Sequence, residues 1–385
     1  MLQDDSKKCV LSICDISPNK FGSFEEFIVS LTSKLKENNF EHIVIFRDKP
    51  IKNVEGALLK SGAKIKIIKP SKSNIYNFIT FYKIIERIKP EIVHFHFYPV
   101  YTVVNYLKFC SNIKIVYTDH MGIKAAKTNL KKIVRHAYYC INSKFFDFGI
   151  DKIVCVSNYV KSKYPKEYGI NSTKLHVIYN GINTDRFQKK YETKKIKEKF
   201  NIKNEYVVTC VGLRKDKGAH YLIEAAPTII RKYPNIRFLL VGEDEYKNNL
   251  KKRINELNIK TYFKFTGNTD SIEEIYSISS CVVIPTLVEE AFCFVAAEAM
   301  STETPVIAFD SGAVKEILYN KENIIPRTSK DLAAKIIECL KKDKILINDT
   351  RTHVVKNFSL DRSTCNYIKL YKDLLITERL NDSVT

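Results

Sequence analysis

The stretch Tyr206-Val207-Val208-Thr209-Cys210-Val211-Gly212-Leu213-Arg214-Lys215-Asp216-Lys217-Gly218 opens the second half of the chain, and its reading decides the fold. Six β-branched, aromatic or small apolar residues make a strand, and Gly212 ends it. A Gly- and Lys-rich turn follows. Residues 219–232 then carry helical periodicity that must stop before Pro234. The same order repeats downstream, with strands at 238–241, 263–266, 281–284 and 306–309 and helical segments between them. An earlier series runs upstream through strands at 10–16, 42–46, 65–68, 92–97, 113–118 and 152–156. Helices are expected at 24–37 and at 78–88, the latter closed by Pro90. The strands are apolar throughout rather than alternating, which indicates parallel sheets covered on both faces. The fold class is therefore α/β, with two Rossmann-like, doubly wound domains. Their expected extents are 1–185 and 186–360, divided at the polar, Lys-rich stretch from Asn180-Gly181 to Phe200, with an amphipathic helix in 361–385. Open sheets of this kind take ligands outside the carboxyl ends of their strands, so two of them are expected to face a central cleft.

Composition agrees with two folded domains: 385 residues, 45% of them hydrophobic. No Trp is present, so Phe, Tyr and Ile must fill the cores. The formal net charge is +20, from 63 Lys+Arg and 43 Asp+Glu. Residues 1–185 hold 29 basic and 16 acidic side chains, so most of the excess lies in the first half. Such charge suits nucleic acid, anionic lipid or phosphorylated small molecules, and it also arises from a merely Lys-rich composition. The N-terminus shows no secretory leader pattern, and no apolar run approaches the ~18–20 residues of a membrane span. A cytoplasmic protein is expected, with the inner membrane face as a place of peripheral contact. The ten cysteines form no CxxC pair and mostly sit within apolar strands or helices, which points to reduced structural thiols.

Three loops carry candidate chemistry. In the segment 284–300, Ile-Pro-Thr-Leu-Val-Glu-Glu-Ala-Phe-Cys-Phe-Val-Ala-Ala-Glu-Ala-Met, a strand ends at Pro285 and a helix begins near Cys293. Glu290 precedes the helix and Glu298 lies in it. Eight residues of helix would span roughly 12 Å, which suits two hydroxyl-bearing rings joined by a diphosphate at the helix N-terminus. On spacing alone, Glu290 is equally readable as a dipole partner and Glu298 as a solvated helix residue. In the turn 212–218, glycines free the backbone while Arg214, Lys215 and Lys217 supply charge, as a diphosphate requires. The turn is neither a Walker A loop nor GxGxxG. In the segment 306–316, Gly312 occupies a strand-to-helix turn, readable as a backbone loop near a sugar or as a plain capped helix. In the first half, His120 closes the strand that ends Tyr117-Thr118-Asp119. It is a candidate for bonding a substrate hydroxyl, although a lone His is more often structural. His94 and His96 read as core or cleft wall. The only Asp-x-Asp lookalike, Glu243-Asp244-Glu245, reads as a solvated loop.

Taken together and in this order, these pieces resemble the GT-B retaining glycosyltransferases of the family 4 type. Glu290 and Glu298 match the E-x7-E motif, and Lys217-Gly218 matches the Lys-Gly of the diphosphate loop. Residues 298–308 match the helix and strand after the motif. Val177 to Asn183 resembles the interdomain Asn-Gly segment, and Phe21-Gly22-Ser23 the first glycine loop. The resemblance implies that Glu298 holds the donor ribose and Glu290 the donor hexose. Lys217 with Arg214 would neutralise the diphosphate, and Gly22 would belong to the donor site. Backbone groups of Phe292, Cys293, Phe294 and Val295 would bind sugar and phosphate, and His120 would contact the transferred sugar. The final helix would cross back to the N-terminal domain, which takes the acceptor. The chain departs from the family pattern at Leu213 for the usual Arg, at Cys293, Glu303 and Ala313 for usual glycines, and at Asn183 for the usual Asp.

The implied activity is transfer of a hexose or N-acetylhexosamine, with retention, from a nucleoside-diphosphate sugar to an acceptor hydroxyl. A UDP-sugar is favoured on family frequency. No metal and no cofactor are expected, and the acceptor is left open as anionic or lipid-linked. A nucleotide-sugar epimerase on the same fold and a basic nucleic-acid-binding protein are the rival readings. The second lacks any helix-turn-helix, zinc or RNA-binding signature, so no nucleic-acid partner is expected. Lys124, Lys127, Lys131, Lys132 and Arg135 follow His120 as a basic helix face that an anionic acceptor or membrane surface would suit.

Overall fold

The computed structural model describes residues 7–98, 107–111, 113–122, 149–168, 170–190, 192–203, 206–341 and 348–382. The basic segment 124–135 lies outside them. The chain divides into two units, Met1–Gly181 with Leu360–Thr385, and Ile182–Ser359. The division falls at 181 because Ile182 already belongs to the second unit, where its N–H donates to Phe358 O at 2.8 Å.

The first unit is built on seven strands: β1 (Lys8–Cys14), β2 (Phe40–Phe46), β3 (Lys64–Ile67), β4 (Ile92–His96), β5 (Lys114–Asp119), β6 (Lys152–Cys155) and β7 (Leu175–Val177). They pair in parallel in the order β3-β2-β1-β4-β5-β6-β7. The second unit has β8 (Tyr206–Val211), β9 (Ile236–Val241), β10 (Phe263–Gly267), β11 (Cys281–Ile284), β12 (Val306–Phe309) and β13 (Ile324–Ile325), ordered β10-β9-β8-β11-β12-β13, again all parallel. The central strands bury nearly every residue, as all five of β4 and all four of β11 do, because helices cover both faces. In each sheet the strand order reverses beside the first strand, between β1 and β4 and between β8 and β11. That reversal leaves a crevice outside the carboxyl ends of those strands.

Helix bounds follow local chemistry. Ser23–Glu37 starts at Gly22, whose N–H is capped at 3.0 Å by Glu25 Oε2. The helix expected from 78 begins at Asn74, because Ser73 Oγ accepts from Tyr76 N at 3.3 Å and caps it. Helix Ala219–Lys232 runs through Pro227 without breaking. The last helix, Leu360–Asp382, belongs to the first unit's core. Tyr367, Ile368, Leu370, Tyr371, Leu374 and Leu375 pack with Val10, Phe27, Leu31, Val44 and Val116.

Candidate functional site

In the second unit the turn after β8 and the loop after β11 are pressed together at the topological reversal. Gly212 (φ 91°) leaves room for the Lys217 side chain, since a Cβ there would stand 3.2 Å from Lys217 Cγ. A short 3-10 turn, Lys215–Lys217, leads to Gly218 at φ 76°. A Cβ on Gly218 would lie 1.8 Å from Pro285 O, so only glycine permits this approach. Leu287 N donates to Asp216 O at 2.8 Å and ties the two loops. Across that seam Lys217 Nζ meets Glu290 Oε1 at 2.7 Å.

A third loop, after β12, fixes Glu290 from behind. Gly312 (φ 55°) sits so close that a Cβ would come within 2.3 Å of Glu290 O, and Ala313 N donates to that oxygen at 2.8 Å. Ser311 Oγ donates to Val288 O. Gly312 is thus the back wall of the Glu290 loop.

Glu290 hangs from this loop, and regular turns begin only with helix Phe294–Ser301. The expected 12 Å of helix between Glu290 and Glu298 is therefore corrected, since half of that spacing is loop. Cys293 caps the helix in left-handed conformation, φ 78° and ψ 67°, where a side chain costs about 1–2 kcal/mol. Its thiol is buried, and burial followed by the Glu290 charge pushes its pKa up. Phe292 is buried in ring contact with Phe294 and Phe358, while Val295 lies in the first turn of the helix. Glu298 is not a solvated helix residue. It is 8% exposed and accepts from Tyr276 Oη at 3.0 Å. Tyr276 is itself fully buried, and burial together with Glu298 holds its phenol protonated well above the ordinary range.

Arg214 does not join Lys217 on Glu290. Its guanidinium forms two 3.0 Å bonds to Asp216, and that pairing, ahead of weaker attraction to Glu290 and Asp244, raises its pKa. Both cations expected to meet a diphosphate are thus held by carboxylates. Sequence reasoning missed these pairs, and it missed Thr286, whose buried hydroxyl has no partner in the loop after β11. The acidic run after β9 holds nothing unusual: Glu243 pairs with Lys247 at 2.7 Å and Asp244 Oδ1 accepts from Tyr246 N. Among the described residues no cluster of His, Cys, Asp and Glu is arranged to hold a metal. None of the nine described cysteines is in a disulfide, and Cys140 lies outside the described residues.

In the first unit, Phe24 brings the Gly22 loop against His120, with edge-on rings 5.2 Å apart. Phe97, at φ 57°, stacks on the same imidazole at 4.7 Å. His96 Nδ1 lies 3.0 Å from His120 Nε2, while His96 Nε2 is buried with no partner. A buried bare lone pair is tolerated more readily than a buried unpaired N–H. His96 therefore carries its proton on Nδ1 and donates, and neutral His120 keeps its own on Nδ1. Burial, opposed by Asn180, pushes the His120 pKa down to about 3. Asp119 is held between Tyr164 Oη and the N–H groups of Met121 and Gly122, and burial raises its pKa. His94 is core. It bonds Tyr371 Oη at 2.6 Å and Thr118 Oγ1 at 2.7 Å.

The chain is similar to known proteins over most of its length. The family model described as Glycosyltransferase Family 4 matches residues 24–186, and that of Glycosyl transferases group 1 matches residues 192–357. An uncharacterized glycosyltransferase of Methanocaldococcus jannaschii is 27% identical over 237 residues, 57% of this chain and 60% of that protein. The chain thus aligns with under two thirds of that relative's length. The UDP-Gal:alpha-D-GlcNAc-diphosphoundecaprenol alpha-1,3-galactosyltransferase of Escherichia coli is 26% identical over 326 residues, 82% of each chain. Among solved structures, Anabaena HepE in complex with UDP superposes with a TM-score of 0.79 at 17% identity, covering 94% of this chain and 99% of that one. With two parallel-sheet units, three loops meeting at the strand reversal of the second, and two adjoining family models along its length, the chain belongs to the GT-B glycosyltransferases of the family 4 type.

Proposed function

We propose that the protein transfers a hexose or N-acetylhexosamine from a UDP-sugar to the hydroxyl of a lipid-linked acceptor, with retention and with neither metal nor cofactor. The observation that carries the donor half is the Lys217–Glu290 pair, set where the strand order reverses. A diphosphate arriving there takes the place of the Glu290 carboxylate on Lys217. Glu290 is then released to accept hydrogen bonds from sugar hydroxyls. Lys217 and the N–H groups that open helix Phe294–Ser301 stabilise the charge on the departing diphosphate, which is electrostatic catalysis of the leaving group. Glu298, oriented by Tyr276, accepts from the ribose hydroxyls. His120, held neutral by burial, contacts the transferred sugar, and the Gly22 loop supports it through Phe24. The identity of the base rests on HepE, which was crystallised with UDP, and the lipid-linked acceptor on the Escherichia coli relative. On this reading the protein works at the cytoplasmic face of a membrane.

The test is a thermal-shift screen of the full chain across UDP-, GDP- and ADP-sugars. A ligand at 100 times its Kd adds about 2.7 kcal/mol to stability, so UDP-sugars should raise the midpoint and the others should not. Stabilisation by GDP-sugars alone would overturn the base, and no shift with any nucleotide sugar would overturn the donor reading.

A further inference from the structure

Helix Asn74–Ile88 follows the edge strand β3 and buries Asn77, Phe81 and Ile85, four apart, in the first unit. Its first two turns are apolar on the other side as well. Ile75 is 68% exposed, Tyr76 58% and Ile79 46%. The outward face of a helix that covers a sheet is normally polar, and three large apolar side chains within five residues form a patch rather than a scatter. The surrounding sequence carries one sign of charge. From Gly56 to Ile85 there is no Asp or Glu, while lysines stand at 60, 64, 66, 69, 72 and 83. Lys64 is paired with Glu41, but Lys66, Lys69, Lys72 and Lys83 are exposed and make no ion pair among the described residues. Ile75, Ile79 and Lys83 share one stripe at four-residue spacing. Lys69 and Lys72 lie in the loop just before it. Because the helix starts where β3 ends, its exposed turns lie at the carboxyl edge of the sheet, the edge that also carries Gly22 and His120.

We propose that Ile75, Tyr76 and Ile79, with Lys69, Lys72 and Lys83, form a seat on the interface of an anionic bilayer. The apolar side chains would enter the boundary between headgroups and acyl chains, and the lysines would face the anionic headgroups around them. Unpaired lysines spread over a loop and two helical turns, with no carboxylate among them, match a diffuse negative surface better than the fixed charge positions of a protein partner. The proposal deepens the reading of a lipid-linked acceptor, and its outcome is independent of the donor chemistry.

Co-sedimentation of the full chain with phosphatidylcholine vesicles, with and without about one-third phosphatidylglycerol, tests it. Binding is expected to the anionic vesicles only, and to weaken as salt rises. The Ile75→Ser/Ile79→Ser variant changes exposed side chains, so it should fold, and it should bind at least about tenfold more weakly. Lys69→Glu/Lys72→Glu should weaken binding by roughly fivefold per lysine. The UDP-sugar thermal shift should be that of the wild type in both variants, so failure of the seat and failure of the donor reading are told apart. Equal sedimentation with neutral and anionic vesicles overturns the proposal, as does wild-type affinity in the Ile75→Ser/Ile79→Ser variant. Lipid-free self-association that the same variant abolishes also overturns it, by making a second copy of the chain the occupant.

Discussion

Replacing Gly218 by Ala asks whether the seam between the loops after β8 and β11 is as tight as its geometry states. The new Cβ would stand 1.8 Å from Pro285 O and 2.8 Å from the Pro285 carbonyl carbon. A carbon and a carbonyl oxygen in contact sit about 3.3 Å apart, so the loops must part by about 1.5 Å. The φ of 76° adds about 1–2 kcal/mol for any L side chain. Parting also stretches the 2.8 Å bond from Leu287 N to Asp216 O, worth about 0.5–1.5 kcal/mol. Together these predict about 1.5–3.5 kcal/mol of lost stability, confined to the second unit. Because Lys217 rides on the same turn, a displacement of this size should also weaken UDP binding by about tenfold or more. Urea unfolding and calorimetric titration with UDP measure the two effects. Stability within about 0.5 kcal/mol of wild type, together with unchanged UDP affinity, would refute the claim that this contact sets the loop geometry.

Two further predictions concern charge. Lys217→Ala should fold normally and lower transfer by about 10²–10³-fold, whereas Glu290→Gln, which removes the diphosphate's competitor for Lys217, should bind UDP at least as tightly as wild type while transferring sugar more slowly; weaker UDP binding by Glu290→Gln in calorimetry would contradict the exchange. Burial depresses the pKa of His42 and of His120 to about 3 and lowers those of His94 and His96, so below about pH 6.5 the unfolded chain takes up protons that the folded first unit refuses. Their contribution is complete above pH 6.5 and is lost as pH falls toward 3. Urea unfolding between pH 8 and 4 should show this decline, more shallowly for His42→Asn, and a flat profile in the wild type would count against it.

What the sequence made legible was local. Continuous apolar runs such as Cys281 to Ile284 announced buried parallel strands, and helix Ala219–Lys232 keeps the bounds its periodicity predicts despite Pro227. The glycines at 212, 218 and 312 marked the turns that converge at the second unit's reversal, and each has positive φ. What stayed hidden depends on strand order, which no window of sequence contains. Lys217 and Glu290 are 73 positions apart, and Tyr276 and Glu298 are 22 apart. In each pair the residues meet only because β11 lies beside β8 or because two helices pack. The alternation of His94 and His96 in a wholly apolar strand was a usable signal, since buried imidazoles must find partners. It could not show that one partner would be Tyr371, 277 positions away. Helix Asn74–Ile88 starts ahead of the apolar periodicity that begins at Phe78, because its first turn is set by the Ser73 cap rather than by buried side chains.

The packing of helix Leu360–Asp382 into the first unit bears on how the molecule is made. Residues 1–181 leave the ribosome before residues 360–382, yet until that helix emerges their core lacks Tyr367, Tyr371 and Leu374, and His94 and Thr118 lack the two phenols that bond them. The second unit, Ile182–Ser359, has all its strands in hand earlier. Synthesis therefore completes the units in the reverse of their order in the gene. A ribosome that stalls or stops before residue 360 would release a finished second unit tethered to an unfinished first one, with the apolar face meant for that helix left open to chaperones and proteases.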